Sequence, residues 1–193
     1  MRHPFALIHE TATIGANCVL REHCKIGPST LLSENCLIMA GVVIGERCRI
    51  GRNVVIANNT IVNSDVEIDD GARIGGLSFI GRRSWIGKQA FVGGAVTLAD
   101  DELWSIPPFM LAYGDPCRLA GLNLRGFRRG KQFLSSNADL KLLRNEVDAI
   151  LREGSDGGSG NVTNTSHLQL LQDMKEFARR VQEQRRIIVP MVQ

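Results

Sequence analysis

The chain has 193 residues, a net charge of +3 and five cysteines. The charge is too small to indicate a nucleic-acid-binding protein, and no run of about 18 apolar residues predicts a membrane span. Met1–Leu7 is too short and too polar for a signal peptide, so we expect a cytoplasmic protein of one domain, or of one domain with an appendage.

A six-residue period runs from Ile8 to Leu103 and predicts the first structural unit, residues 1–103. Every sixth residue is aliphatic, and the residue four positions later is small. Neither the 3.6-residue period of a helix nor the two-residue period of a strand produces this spacing. It is typical of a triangular parallel β-helix, in which both repeated positions face inward. The aliphatic column contains Ile8, Ile14, Leu20, Ile26, Leu32, Ile38, Ile44, Ile50, Ile56, Val62, Ile68, Ile74, Ile80, Ile86, Val92 and Leu98.

Four of the five cysteines fall in the small inward column of this repeat, namely Cys18, Cys24, Cys36 and Cys48. A buried thiol is a compact apolar filler at such a position. Cys117 lies outside the column, and no pair of Cys or His residues has the spacing of a zinc site. We therefore predict that the cysteines of the repeat pack in the core, and we expect neither a metal nor a cofactor.

The hexad period ends at Leu103, and the composition then changes twice. Residues 104–133 are rich in proline, glycine and arginine, which predicts a capping loop followed by a basic segment. Residues 134–193 contain two stretches with apolar residues at helical spacing, which predicts two C-terminal helices. A stretch near 154–166 that is rich in Gly, Ser and Asn is typical of a flexible linker. Because short amphipathic helices do not fold alone, we expect these helices to pack on the solenoid or on a neighbouring subunit.

Five segments of the sequence also carry a family resemblance, and they lie at Ile8–Ala12, Ile56–Asn59, Val92–Gly94, Ile106–Gly114 and Gly121–Gly130. They are similar to the UDP-N-acetylglucosamine O-acyltransferases of lipid A biosynthesis, which are hexapeptide-repeat acyltransferases. The last two segments are the more specific ones, since many acyltransferases share the hexads. The chain is identified as a short, divergent member. The resemblance implies an all-β solenoid that is a left-handed parallel β-helix, with a C-terminal α-helical extension.

The same resemblance implies a function and a set of site residues. It implies a homotrimer that transfers an acyl chain from acyl carrier protein to a hydroxyl of a nucleotide sugar, with a histidine as general base. In this sequence the catalytic histidine position holds Glu46, which becomes the candidate base. The candidate substrate-binding residues are those that match or adjoin the family's other site positions: Asp65, Arg82, Asn123, Arg128 and Arg129.

The stacking register of the repeat supports a second interpretation of this region. Residues 18 apart stack in adjacent turns, so Arg47, Asp65 and Arg83 form a column of alternating charge. Such a column is typical of a surface or subunit-interface ladder, and a carboxylate paired with arginine is a weak base. Since the family's histidines are replaced, the alternative hypothesis is a catalytically inactive trimeric relative that acts as a binding or scaffold protein. A third hypothesis is an acetyltransferase that uses acetyl-coenzyme A.

Overall fold

The computed structural model describes residues 1–100, 102–123, 137–154, 157, 165–184 and 186–191. Two-residue strands begin at every sixth position from Leu7, and the second residue of each strand is the aliphatic residue of the predicted period. They are Leu7–Ile8 (β1), Thr13–Ile14 (β2), Val19–Leu20 (β3), Lys25–Ile26 (β4), Leu31–Leu32 (β5), Leu37–Ile38 (β6), Val43–Ile44 (β7), Arg49–Ile50 (β8), Val55–Ile56 (β9), Ile61–Val62 (β10), Glu67–Ile68 (β11), Arg73–Ile74 (β12), Phe79–Ile80 (β13), Trp85–Ile86 (β14), Phe91–Val92 (β15) and Thr97–Leu98 (β16).

These strands stack into three parallel sheets, which we number I to III. Sheet I contains β1, β4, β7, β10, β13 and β16; sheet II begins with β2, β5, β8, β11 and β14; sheet III begins with β3, β6, β9, β12 and β15. One turn of the solenoid takes one strand from each sheet. Paired residues lie 18 positions apart, as Ile8 and Ile26 do. The fold is therefore a parallel β-solenoid of hexapeptide repeats with C-terminal helices, and the predicted fold class is confirmed.

The core of the solenoid is built from the two inward columns that the sequence predicts. Ile56 and Ile80 in the aliphatic column are completely buried, and so are Cys48 and Val54 in the small column. The Sγ atom of Cys48 donates to the carbonyl oxygen of Asn63 at 3.0 Å, and burial raises the pKa of this thiol to about 11. The cysteines of the repeat are thus core residues, as predicted from their positions.

The corners between sheets explain the rest of the repeat. The third residue of a corner adopts a left-handed conformation, with φ of 54° at Arg47 and 61° at Asp65. The first residue of a corner lies against the turn above it. A Cβ atom added to Gly75 would lie 2.4 Å from the carbonyl carbon of Gly93, a distance that no side chain tolerates. Close stacking of backbone on backbone therefore accounts for the glycines that follow many of the aliphatic residues.

The solenoid continues past the end of the hexad period. Trp104–Ile106 (β17) pairs with β14 in sheet II, and Met110–Tyr113 (β18) pairs with β15 in sheet III. Arg118–Leu122 (β19) then pairs with β18 in antiparallel orientation. The interpretation of residues 104–122 as loop-like is wrong. Ile86 pairs with Ile106, 20 residues later instead of 18, so two inserted residues hide the repeat while the sheets persist.

Two helices and one short strand complete the described chain. The helices are Asn137–Glu153 (α1) and Thr165–Glu183 (α2), which pack against each other, and Ile187–Ile188 (β20) pairs with β17. The two C-terminal helices are thus present, whereas the predicted linker near 154–166 lies mostly outside the described residues. Neither described helix is apolar enough to cross a membrane. At the other end of the solenoid, Leu20 donates its backbone N–H to the carbonyl of Met1.

Helix α2 lies across the outer face of sheet II in the fifth turn. The ring of Phe177 packs on Trp85 with centroids 4.4 Å apart, and the guanidinium carbon of Arg180 lies 4.0 Å from the centre of the same indole. The indole Nε1 of Trp85 donates to Asp69 Oδ2 at 3.0 Å. We name Asp69, Trp85, Phe177 and Arg180 the α2 clamp. Trp85 is only 2% exposed although its strand position faces outward, because the helix covers it.

Candidate functional site

The candidate base Glu46 lies at the corner between sheets I and II, in the third turn. Its Oε1 is 2.8 Å from Nη1 of Arg47, the next residue in the corner. Arg47 also reaches one turn further along the solenoid, where its Nε and Nη2 bind the two carboxylate oxygens of Asp65 at 2.7 and 3.1 Å. One arginine therefore links both acidic candidates. The side chains remain accessible to solvent, with 43% of Glu46 and 52% of Arg47 exposed.

The electrostatics of this corner follow from these contacts. The hydrogen bonds from Arg47 lower the pKa of Asp65, and the nearby charges of Arg82 and Arg83 lower it further. Both carboxylates lie beside the Arg47 guanidinium, and this arrangement suits charge pairing better than proton abstraction. Among the described residues, the predicted ladder of alternating charge forms an ion pair only at Arg47–Asp65. Asp101, at its end, lies outside the described residues.

Arg82 lies at the same corner in the fifth turn. Its backbone N–H donates to the carboxylate of Asp100, which also accepts two contacts from the Nδ2 of Asn63 at 2.8 and 3.0 Å. The neighbouring carbonyl of Arg83 accepts a hydrogen bond from Nη1 of Arg186 at 2.6 Å. The backbone of this corner is therefore fixed, and the guanidinium of Arg82 extends from it into solvent.

Asn123 lies at a different corner, between sheets II and III. It directly follows β19, and its backbone N–H donates to the carbonyl of Phe109 at 2.6 Å. Its side-chain Nδ2 donates to the carbonyl of Gln89 at 2.8 Å, and the residue is 5% exposed. Asn123 also lines a cavity of about 670 Å³ between sheet III, the β18–β19 hairpin and α1. Most of the cavity wall is apolar, with Arg144 and Asp148 as its charged members.

Arg128 and Arg129 lie outside the described residues, so their assignment to substrate binding stays a prediction. The other four candidates separate into two groups within one chain. Glu46, Asp65 and Arg82 share the corner between sheets I and II in the third, fourth and fifth turns, whereas Asn123 contacts the corner between sheets II and III at Gln89 in the fifth turn. The two groups lie at different corners, and none of the first three residues lines the cavity beside Asn123.

No prediction from the sequence covers the α2 clamp, which is a second cluster that contains charged residues. The pKa of Asp69 is raised to about 6, mainly by burial and also by the nearby Glu67 and Asp70, while the hydrogen bond from Trp85 and the charge of Arg180 act in the opposite direction. A groove of about 430 Å³ runs beside this carboxyl. The available signal was Trp85 itself, since the equivalent outward positions of sheet II hold Leu31, Arg49 and Glu67. Among these outward positions, Trp85 is the large aromatic residue, whereas the other three are aliphatic or charged.

Comparison with known proteins finds relatives of the hexapeptide repeat. The family model of the bacterial transferase hexapeptide (six repeats) matches residues 29–64. In sequence the hexapeptide-repeat protein is similar to two acyl-[acyl-carrier-protein]–UDP-N-acetylglucosamine O-acyltransferases. The protein from Nautilia profundicola is 35% identical over 81 residues, which cover 42% of this chain and 29% of that protein. The protein from Aliarcobacter butzleri is 48% identical over 56 residues, which cover 29% and 20%.

The resemblance drawn from the sequence is thereby confirmed, although each match spans less than a third of the relative's own length. Among solved structures, the hexapeptide-repeat protein is similar to the UDP-N-acetylglucosamine acyltransferase of Arabidopsis. The TM-score is 0.54 and the identity 18%, with 98% of this chain and 100% of the other covered. At that identity the likeness establishes a shared fold and nothing further about activity.

Proposed function

We propose that the hexapeptide-repeat protein is an acyltransferase that moves an acyl chain from acyl carrier protein to a hydroxyl of a nucleotide sugar, in the manner of lipid A biosynthesis. The observation that carries the proposal is the sequence similarity to enzymes named for this reaction, which reaches 48% over 56 residues. The cytoplasmic location stays a prediction from the sequence.

The proposal requires a homotrimer, since the two groups of candidate residues lie at different corners of one chain. In a trimer of parallel solenoids, the corner of Glu46 in one subunit faces a different corner of the next. Sheet I offers a surface for such contacts, because Leu7 and Ile61 on its outer face are 60% and 45% exposed, and Leu77 at its border is 71% exposed. Exposed aliphatic residues grouped on one flat face are typical of a subunit interface.

The candidate base in this proposal is Glu46, and the apolar cavity beside Asn123 is a candidate for the nucleotide-sugar region. Glu46 occupies an accessible corner, and its ion pair with Arg47 is solvent-exposed and therefore weak. A substrate that displaces Arg47 leaves the carboxylate free to accept a proton from a hydroxyl. General-base catalysis of this kind contributes about 100-fold or more to the rate.

The decisive experiment is an assay of the purified protein with a hydroxyacyl-acyl carrier protein and UDP-N-acetylglucosamine. We expect turnover by the wild-type protein and a loss of about 100-fold in kcat/KM for Glu46→Gln. Glu10→Gln is the matched control, because Glu10 is an exposed carboxylate in the same column, two turns lower. We expect this variant to retain full activity. Equal turnover by the Glu46→Gln and wild-type proteins would reject Glu46 as the base.

The alternative function is that of a catalytically inactive trimeric relative that binds a ligand or acts as a scaffold. The observation that favours it is the occupancy of the catalytic corner by an ion-pair cluster, in which Arg47 binds both Glu46 and Asp65. No turnover in the same assay, combined with a trimer by light scattering and UDP-N-acetylglucosamine binding by calorimetry, would establish this alternative. A monomer under assay conditions would contradict both hypotheses.

A further inference from the structure

The docking of α2 on sheet II depends on one partly buried carboxyl group, that of Asp69. Asp69 lies at the end of β11 and binds the indole N–H of Trp85, which is the anchor of the α2 clamp. Phe177 and Arg180 of α2 both contact this indole, so the helix covers the donor that holds the Asp69 carboxyl. Displacement of α2 exposes the indole and admits more water to the carboxyl group, which already borders the groove on this face.

Every element packed around Asp69 contributes a charge. From its own strand and corner come Glu67 and Asp70, which oppose its ionisation. From α2 comes Arg180, which binds Glu67 at 3.2 Å and favours ionisation. Further charges at the groove and on the indole are Arg49, the ion pair Lys88–Asp173 at 2.9 Å and Arg186, whose guanidinium carbon lies 5.8 Å from the indole centre.

We propose that Asp69 makes the docking of α2 sensitive to pH, with the helix held more tightly when the carboxyl is protonated. The cause is desolvation, because docking buries a group that is more stable in water when it is charged. A neutral carboxyl keeps its carbonyl oxygen as an acceptor for the Trp85 N–H and loses the repulsion from Glu67 and Asp70. The device lies in the fold itself and does not rest on the acyltransferase proposal.

The sign follows from the two states of Asp69. Its pKa is about 6 with α2 docked, whereas a fully exposed aspartate titrates near 3.9. Between these values the docked state binds more protons, so docking strengthens as pH falls through 6 and is independent of pH well above 6. From pH 7.5 to pH 5.0 this amounts to an increase of about 10-fold in the docking equilibrium.

The α2 clamp is connected to the corner that holds Arg82 through Arg186. Arg186 follows α2 directly, and its Nη1 binds the carbonyl of Arg83. Docking of α2 therefore helps to position Arg186 for this contact, together with the pairing of β20 and β17. Because Arg186 also lies over the Trp85 ring, a change in the docking of α2 affects both the clamp and this corner.

The test is hydrogen–deuterium exchange of the α2 amides in the full chain between pH 5.0 and 7.5, corrected for intrinsic exchange rates. We expect protection of α2 to fall by about 10-fold as pH rises across this window. In Asp69→Asn, a neutral side chain of the same shape, protection should be high and independent of pH. Asp65→Asn is the matched control, since Asp65 lies in the same turn but pairs with Arg47 at the other corner and has a lowered pKa, and it should keep the wild-type pH dependence.

Two outcomes would overturn the proposal. One is protection of α2 that does not change with pH in the wild-type protein, and the other is an unchanged pH dependence in Asp69→Asn.

Discussion

Asp65 and Asp69 lie four residues apart in the same turn of the solenoid, yet their surroundings shift their pKa values in opposite directions. Asp65 is bound by an exposed arginine at the corner between sheets I and II, and its pKa is lowered. Asp69 sits beneath the indole of Trp85, and its pKa is raised to about 6. Each carboxyl has a cation nearby, so the presence of an arginine does not decide the direction.

Burial decides it. Water solvates much of Asp65 and Arg47, so the hydrogen bonds between them outweigh a smaller desolvation cost, and the exposed pair contributes little to stability. At Asp69, the cost of removing the carboxylate from water exceeds the attraction of Arg180 and the hydrogen bond from Trp85. The repeat therefore carries two charged clusters of different kinds. The first is a surface feature that a ligand could rearrange, and the second is a structural joint between sheet II and α2.

The largest expected effect comes from the anchor of the joint. Trp85→Ala removes a buried indole from the contact with α2 and should destabilise the protein by about 3–5 kcal/mol. Leu31→Ala, in the same outward column of sheet II but away from α2, should cost less than about 1 kcal/mol. Urea unfolding followed by circular dichroism measures both. Equal effects would mean that α2 is not anchored through Trp85.

A smaller effect is expected from the arginine of the joint. Arg180→Ala removes the cation over the indole and the partner of Glu67, and should destabilise the protein by about 1–2 kcal/mol. The same variant should move the pH dependence of α2 protection to higher pH, because Arg180 favours the ionised form of Asp69. The control is Arg179→Ala, the next residue, which pairs with Glu176 and Glu183 on the exposed face of α2. This change should leave the unfolding midpoint unaltered.

The smallest effect is expected at the exposed corner. Asp65→Asn removes the pairing with Arg47, and the unfolding midpoint at pH 7 should stay within experimental error. Any residual difference should disappear in 1 M NaCl, where charges about 3 Å apart are already screened. The sign with pH is also opposite to that of Asp69. Because the pKa of Asp65 is lowered in the folded protein, the ionised carboxylate stabilises the fold at pH values above the ordinary pKa of aspartate. This contribution is lost as the pH falls into the acid range. A large loss at neutral pH would show that the corner is buried in an assembly.

Much of the fold could be predicted because the six-residue period determines which residues face inward. The period from Ile8 to Leu98 predicts the strands, the inward columns and the stacking register, and it also predicts that Cys36 and Cys48 lie in the core. The period failed at Ile106, where two inserted residues lengthen the spacing from 18 to 20 while the pairing with Ile86 continues. Sequence periodicity cannot reveal such a continuation, since hydrogen bonds between stacked turns tolerate a longer corner.

The candidate site was less predictable than the fold. The sequence correctly placed Arg47 against Asp65, because residues 18 apart must stack. It could not place Asn123 relative to Glu46, since Asn123 lies beyond the hexad period and its corner is set by how the β18–β19 hairpin folds back on Phe109 and Gln89. Nor could it predict the joint at Trp85, where residues more than 90 positions apart meet.

The sequence by itself determined the solenoid, its register and the identity of the charged residues at each corner. It did so because every turn contacts only its neighbours, so local spacing is enough. The tertiary structure alone decided which carboxyl is exposed and which is buried. The difference arises from α2, which packs on the outer face of sheet II and buries the outward-facing side chain of Trp85. Long-range packing sets the local dielectric, and the dielectric sets the chemistry of Asp65 and Asp69.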